Sequence, residues 1–307
     1  MKRKTEVSIV IPHLNEPGEL GRCLTSLKGQ EAESVEFEII VVDNGSDTPP
    51  SDVCAAFENV RLEVERQPGP GPARNKGAAV ARGEILAFID ADCVAAPDWI
   101  RQIVAFMSAR EDVDFIGGDI RILQASARAL TPIEAYESIY SYRNDRYVTQ
   151  YGFSATGNMA VRKKVFEAVG PFGGIGTMED TDWGMKATAM GFKIAYVPSA
   201  KVFTEPCASY AALTLRWDRH VAHEFEQIRH HYTRYPKWLF KSVAIAASPL
   251  GEQLTVIKTR RISGVRTRLG AYLILTRVRL HRAKRMFGLL FSNSTSSAVG
   301  TWNREKT

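Results

Sequence analysis

Apolar residues along the first two thirds of the chain alternate between two rhythms. Val7–Ile11 and Phe37–Val42 are short β-branched runs that read as strands, and Glu19–Leu27 between them repeats apolar positions at helical spacing (Leu20, Cys23, Leu24, Leu27). Arg61–Val64 is a weaker strand, followed by the breaker cluster Pro68-Gly-Pro-Gly-Pro72. Ala73–Ala81 then reads as a helix, Ile85–Ile89 as a strand, and a helix opens at Pro97 and runs to about Ser108. Beyond residue 131 the alternation loosens. Thr131–Tyr147 looks helical and aromatic, Gly170–Gly176 is a glycine-rich loop, Asp180–Met190 is a helix closed by Gly191, and Lys193–Val197 is a last strand. Residues 209–231 and roughly 252–290 read as helical.

Strands that alternate with helices predict βαβ units and a largely parallel sheet covered by helices on both faces. Such sheets bind ligands beyond the carboxyl ends of their strands. Three polar clusters fall there: His13-Leu-Asn-Glu16, Asp43-Asn-Gly-Ser-Asp47 and Asp90-Ala-Asp92. The segment after the first strand holds no G-x-G-x-x-G, and there is no P-loop, so phosphates need another form of neutralisation, most economically a divalent metal on carboxylates.

FIDADC (88–93) sharpens that point. Extended residues two apart face the same side, so Asp90 and Asp92 project together, and like charges need a cation between them unless they merely end a strand in solvent.

Charge is distributed unevenly. The net +6 conceals 19 Lys/Arg against 6 Asp/Glu in residues 201–307, which leaves the first 200 residues at −7. The basic part implies a negatively charged partner of its own. Four cysteines without a CxxC suggest a reducing compartment. The apolar run that follows the basic N-terminus stops at Pro12, too soon for a signal peptide, and no transmembrane helix is expected.

Six segments in order, VSIVIPHLNE (7–16), IIVVDNGSDT (39–48), GPARNKGAA (71–79), FIDADC (88–93), ATGNMAVRKKVFEAVGPF (155–172) and MEDTDWGMKATAMGFKIAYVP (178–198), resemble the family 2 glycosyltransferases of GT-A fold, over about residues 5–205. The resemblance implies an α/β GT-A nucleotide-diphospho-sugar transferase fold, Rossmann-like with a mostly parallel sheet, over 1–205, and a basic helical extension over 206–307. It implies that Pro12, Glu16, Asp43, Arg74 and Asp90 bind the nucleotide. Asp92, with Asp90, would hold Mn²⁺ or Mg²⁺, and Gly157 and Asn158 would shape the donor-sugar side. Asp180 would be the catalytic base, supported on the acceptor side by Glu179, Asp182 and Trp183. Local readings compete with these roles: Asp43 suits an Asx-turn, and the acidic residues at 179–182 suit a helix N-terminus.

The chain also departs from the family. Many relatives place a metal-binding His where Thr204 stands here. The Gln-x-x-Arg-Trp motif of processive polymerases is half present as Leu213-Thr-Leu-Arg216-Trp217, which points to transfer of a single sugar. Arg216, Arg219 and His220 either approach the diphosphate or belong to a plain amphipathic helix.

From Val256 onward there are 12 Lys/Arg and one acidic residue. Val265, Leu269, Tyr272, Leu273, Leu280 and Phe287 share one helical stripe flanked by Arg266, Arg268, Arg277, Arg279 and Lys284, a pattern suited to an anionic membrane surface. Ile274 and Leu275 fall off the stripe, as expected if part of this helix packs in the protein. The resulting expectation is an inverting enzyme that moves one sugar from a nucleotide-sugar, UDP favoured, to a lipid-linked or polysaccharide precursor. It would be cytoplasmic, possible at the inner face of the membrane, with no nucleic-acid partner. The competing readings are a silent nucleotide-sugar-binding scaffold and a sugar-nucleotide pyrophosphorylase, the latter opposed by the absence of its glycine-rich first loop.

Overall fold

The computed structural model describes residues 5–32, 35–124, 129–228 and 234–291. The described chain divides into two compact units, a sheet unit of residues up to Arg121 with Tyr142–Thr204, and a helical unit of Ile122–Ser141 with the residues from Glu205 on.

The elements run β1 (Val7–His13), α1 (Pro17–Lys28), β2 (Phe37–Asp43), α2 (Ser51–Ala55), β3 (Val60–Val64), α3 (Pro70–Val80), β4 (Ile85–Ile89), β5 (Cys93–Ala95), α4 (Trp99–Ala109), β6 (Phe115–Ile122), α5 (Pro132–Tyr140), α6 (Asn144–Arg146), a π-helical turn (Tyr147–Tyr151), β7 (Asn158–Arg162), α7 (Lys163–Val169), α8 (Glu179–Ala189), β8 (Ile194–Thr204), α9 (Tyr210–Ile228), α10 (Arg234–Ala247), α11 (Pro249–Lys258) and α12 (Val265–Leu289). The eight strands lie in the order β3-β2-β1-β4-β7-β6-β8-β5.

The sheet is mixed rather than mostly parallel. β3, β2, β1 and β4 pair parallel, whereas β7 runs antiparallel to both β4 and β6, and β5 antiparallel to β8. The parallel half is the part legible from the sequence, because β1, β2 and β4 are compact apolar runs and β3 alternates apolar with charged residues. The switch comes where the sequence pattern loosens. β6 carries Gly117 and Gly118, and β7 starts on Asn158, so neither shows a plain apolar run.

Strand alternation sorts the core into two layers. Val7, Ile9 and Ile11 of β1 and Ile85, Ala87 and Ile89 of β4 pack with α1 and α4, while Val10, Leu86 and Phe88 pack with α3, α7 and α8. Pro12, in a central strand, costs the ladder little: the register of β1 with β4 ends at Val10–Phe88, so no bond on that side needs its missing N–H.

α3 starts at Pro70, inside the expected breaker cluster, since proline suits the first turn of a helix. The expected helix 131–147 ends at Tyr140, and Tyr142 takes φ 50° before the chain resumes as α6. The expected helix 252–290 is two helices. Arg268 caps the end of α11 by donating to the carbonyls of Val256, Thr259 and Ile262, and Gly264, at φ 84°, turns the chain into α12.

Candidate active site

The C-terminal edge of the parallel strands carries His13 paired with Asp43, and β4, the other neighbour of β1, ends on Ile89 just before Asp90. Asp90 and Asp92 do not continue the strand. They form a turn in which the Cys93 amide donates to the Asp90 carbonyl at 3.0 Å, and Ala91 is buried while both carboxylates stay half-buried.

Arg74, at 3% exposure, connects this turn to α8. Its Nη2 donates to Asp90 Oδ1 at 2.6 Å and its Nη1 to Glu179 Oε1 at 2.9 Å. Burial opposes the guanidinium's charge, and the two carboxylates restore it and raise its pKa. Arg74 therefore serves as a positioning cation between two loops, and its helix-start position is stabilised by carboxylates that offset the dipole. Asp90 Oδ2 faces Gly157: a Cβ there would lie 2.8 Å from that oxygen, so glycine preserves the space beside the carboxylate.

Asp180 stands in the first turn of α8, half-buried. Its Oδ1 accepts the Thr181 amide at 2.7 Å, while Oδ2 makes no hydrogen bond among the described residues. Burial, then the neighbouring Glu179 charge, pushes its pKa up to about 7, against the opposing pull of Thr181 and Arg74. A carboxyl that titrates near neutrality with one oxygen open is suited to general-base work.

Asp43 is 3% exposed and bonds within its own loop, to Ser46 three residues on rather than in the two-residue Asx-turn: Ser46 Oγ donates to Oδ1 at 2.5 Å and the Ser46 amide to Oδ2 at 3.2 Å. His13 Nδ1 lies 3.2 Å from Oδ1, and the Glu16 amide donates to His13 Nε2, so the proton sits on Nδ1 and points at Asp43. Burial alone would raise the Asp43 pKa, but hydrogen bonds from His13 and Ser46 hold it below the ordinary value. Pro12 is buried in β1 and Glu16 precedes α1, so both border this cluster.

Two expected site residues have structural duties. The Asn158 side chain is committed to scaffold bonds: Trp99 Nε1 donates to Oδ1, and Nδ2 donates to the carbonyls of Asp119 and Ala200, each at 2.9 Å. Trp183 is buried among Phe115, Phe166 and Phe172 and donates its indole N–H to the Gly170 carbonyl at 2.8 Å, which fastens α8 to the sheet. Asp182 is exposed on the first turn of α8.

Two residues near the site have no role legible from the sequence, although His13 lies in a polar cluster at a strand end. His13 orients Asp43, and Tyr147 lies close enough for Asp180 to add to the burial that raises its phenol pKa. Tyr147 is placed by the π-helical turn, and Gly184 of α8 admits Phe153 beside it, since a Cβ there would lie 2.5 Å from the Phe153 Cβ. An aromatic run was the only sequence signal for Tyr147.

For a divalent ion, Asp90 and Asp92 offer hard oxygen donors. Burial, then the charges of Asp92 and Asp90, pushes the adjacent Cys23 and Cys93 thiols up, and both donate, Cys23 to the Asp90 carbonyl and Cys93 to Asp92 Oδ1. Among the described residues no three His, Cys, Asp or Glu side chains form a closed cage. A two-carboxylate set fits an ion that takes its remaining ligands from phosphates and water. Thr204 is buried and pairs with Cys93 across β5 and β8.

A family model described as glycosyl transferase family 2 matches residues 8–170. Glycosyltransferase AglE of Haloferax volcanii is 30% identical over 201 residues, 62% of this chain and 64% of that protein. An uncharacterized glycosyltransferase of Nostoc sp. is 30% identical over 54% of this chain and 53% of its own length, so the chain spans under two thirds of either relative. Among solved structures, a Pyrobaculum calidifontis mannosyltransferase in complex with GDP-Man and Mn²⁺ superposes with TM-score 0.62 at 18% identity, covering 95% of this chain and 88% of that one. An S. aureus TarS fragment in complex with UDP gives 0.53 at 17% identity, covering 93% and 91%. The likeness in fold agrees with the mixed sheet and helices described above, and with a matched segment that runs from β1 through α7 the chain belongs to glycosyl transferase family 2.

Proposed function

We propose that the chain is an inverting transferase that moves a single sugar from a nucleotide-diphosphate sugar to an acceptor hydroxyl, with Asp180 as the base. The observation that carries this reading is the linked set Asp180–Glu179–Arg74–Asp90, in which one buried cation aligns the edge that would hold donor phosphates with the helix that presents the base. Asp180 Oδ2 takes the proton of the acceptor hydroxyl as the acceptor oxygen attacks the anomeric carbon, the new glycosidic bond forms, and the bond to the nucleoside diphosphate breaks with its electron pair on phosphate. Asp92 and Asp90 would hold Mn²⁺ or Mg²⁺, which when bound offsets the leaving group's charge. Arg74 keeps Asp90 in place, and Gly157 keeps its second oxygen accessible.

UDP is the favoured nucleotide. The similar solved structures carry GDP-Man in one case and UDP in another, which supports a diphosphate without choosing the base. A lipid-linked or polysaccharide acceptor at the inner membrane face is supported by α12, whose Val265, Leu269, Leu273, Leu280 and Phe287 are all exposed beside Arg266, Arg277 and Lys284. Ile274 and Leu275 of the same helix are buried. No described helix is long and apolar enough to cross a membrane.

The test is thermal shift against UDP, GDP, dTDP and CDP with and without Mn²⁺, followed by donor turnover in wild type and Asp180→Asn. A metal-dependent shift with one nucleotide, lost in Asp92→Ala, and turnover lost in Asp180→Asn are expected. Nucleotide binding without turnover in wild type would favour the silent scaffold.

A further inference from the structure

α12 of the helical unit buries Leu275, Val278, Arg282, Met286 and Leu289 at core spacing, so an arginine occupies a position whose neighbours along the stripe are aliphatic. Arg282 is 6% exposed and its guanidinium lies 4.0 Å from the Trp217 ring of α9. Its Nε, like that of Arg279 one turn earlier, is buried without a hydrogen bond, and neither arginine has an ion pair among the described residues. A cation so placed calls for an anion.

The described carboxylates around it are each held by another cation, and only Glu224 acts on Arg282, without an ion pair to it. Glu137 of α5 is fully buried and bound to Arg216 at 2.7 Å, Glu224 is paired with Lys241 at 2.7 Å, and Asp218 with His281 at 2.9 Å. Burial, then the Arg279 charge, draws the Arg282 pKa down to about 10, against the opposing pull of Glu224 and Tyr136. Burial and the charges of Arg282, Arg216 and Arg219 draw His220 down to about 4, so it is neutral at physiological pH. Arg279, His220 and Trp217 are themselves only half-buried, so part of each reaches solvent.

We propose that Arg282 and Arg279, floored by Trp217 and edged by His220, form a binding site for a phosphoryl group. Planar guanidinium donors match phosphate oxygens in geometry and charge, and a neutral imidazole adds a hydrogen-bond donor. The site lies wholly within the helical unit and does not depend on the glycosyl-transfer reading. The phosphoryl group is either free in solution or the headgroup of a lipid.

The experiment uses the full chain in EDTA, so that no divalent ion assists binding at Asp90 and Asp92. Melting temperature is followed against inorganic phosphate and pyrophosphate, with chloride at matched ionic strength as control. Co-sedimentation is measured with neutral vesicles containing phosphatidic acid, and with phosphatidylserine vesicles of matched surface charge. Arg282→Met is expected to be at least as stable as wild type without anion, because replacing a buried charge that has no ion pair among the described residues by an apolar side chain relieves its desolvation. A phosphate-dependent rise in melting temperature that Arg282→Met loses and Arg282→Lys partly keeps supports a site for free phosphate. A several-fold preference for phosphatidic acid over phosphatidylserine, lost in the same Met variant, supports a headgroup site. The proposal is overturned if wild type responds to neither form, or if Arg282→Met responds as wild type does.

Discussion

Asp180→Asn separates catalysis from folding, because the same burial that prepares this residue as a base makes it costly to the fold. Its pKa rises from an ordinary 3.8 to about 7, mainly through burial and secondarily through Glu179. The folded state then holds the proton more tightly than the unfolded chain. The stabilising contribution is complete below pH ~4, is lost as pH rises towards 7, and stays lost above it. About three pKa units correspond to an upper bound of ~4 kcal/mol, and water reaching this half-buried carboxyl reduces the expected effect to ~1–2 kcal/mol. Asparagine keeps an oxygen for the Thr181 amide and carries no charge. Urea denaturation should therefore find Asp180→Asn more stable than wild type by ~1–2 kcal/mol at pH 8 and nearly equal to it at pH 4.5. Turnover should fall by ~10²–10⁴-fold, and the wild-type rate should climb with pH through about 7. An Asn variant destabilised equally at both pH values, or a wild-type rate flat from pH 5 to 8, would refute the assignment.

Arg74→Met leaves Asp90 and Glu179 without their shared cation. It should cost ~2–3 kcal/mol by denaturant unfolding, less than a fully buried pair because both carboxylates reach solvent, and should move the acid limb of the rate profile upward because Arg74 opposes the rise at Asp180. Gly157→Val places a side chain against Asp90 Oδ2 and should weaken Mn²⁺-dependent nucleotide binding by at least ~10-fold, with a smaller loss in melting temperature, as read by calorimetry and thermal shift. Leu269→Glu with Leu273→Glu, at exposed positions of α12, should leave stability within ~0.5 kcal/mol while abolishing sedimentation with anionic vesicles.

What the chain spells out by itself is what local rules write into adjacent residues. Of the four parallel strands β1, β2 and β4 are apolar runs and β3 alternates, α1 shows Leu20, Cys23, Leu24 and Leu27 at helical spacing, and the α12 stripe is exposed at Val265, Leu269, Leu273, Leu280 and Phe287, though its Tyr272 packs against the core. The acidic pairs at 90–92 and 179–180 could be picked out because motifs preserve residue type at fixed spacing. Only the tertiary structure decided how these pieces meet. The antiparallel half of the sheet was hidden because β6 and β7 draw their register from each other and from Asn158, whose amide joins Trp99 to two carbonyls far apart in the chain. The use of Arg74 as a link between Asp90 and Glu179 depends on residues 16 and 105 positions away, a separation no pattern of period two or 3.6 encodes. Arg282 shows the same limit. Along the sequence it is one more basic residue in a basic tail, and only packing against α9 places its charge inside the helical unit. Burial sets both the pKa of Asp180 and the desolvation of Arg282, and burial is a property of the assembled fold.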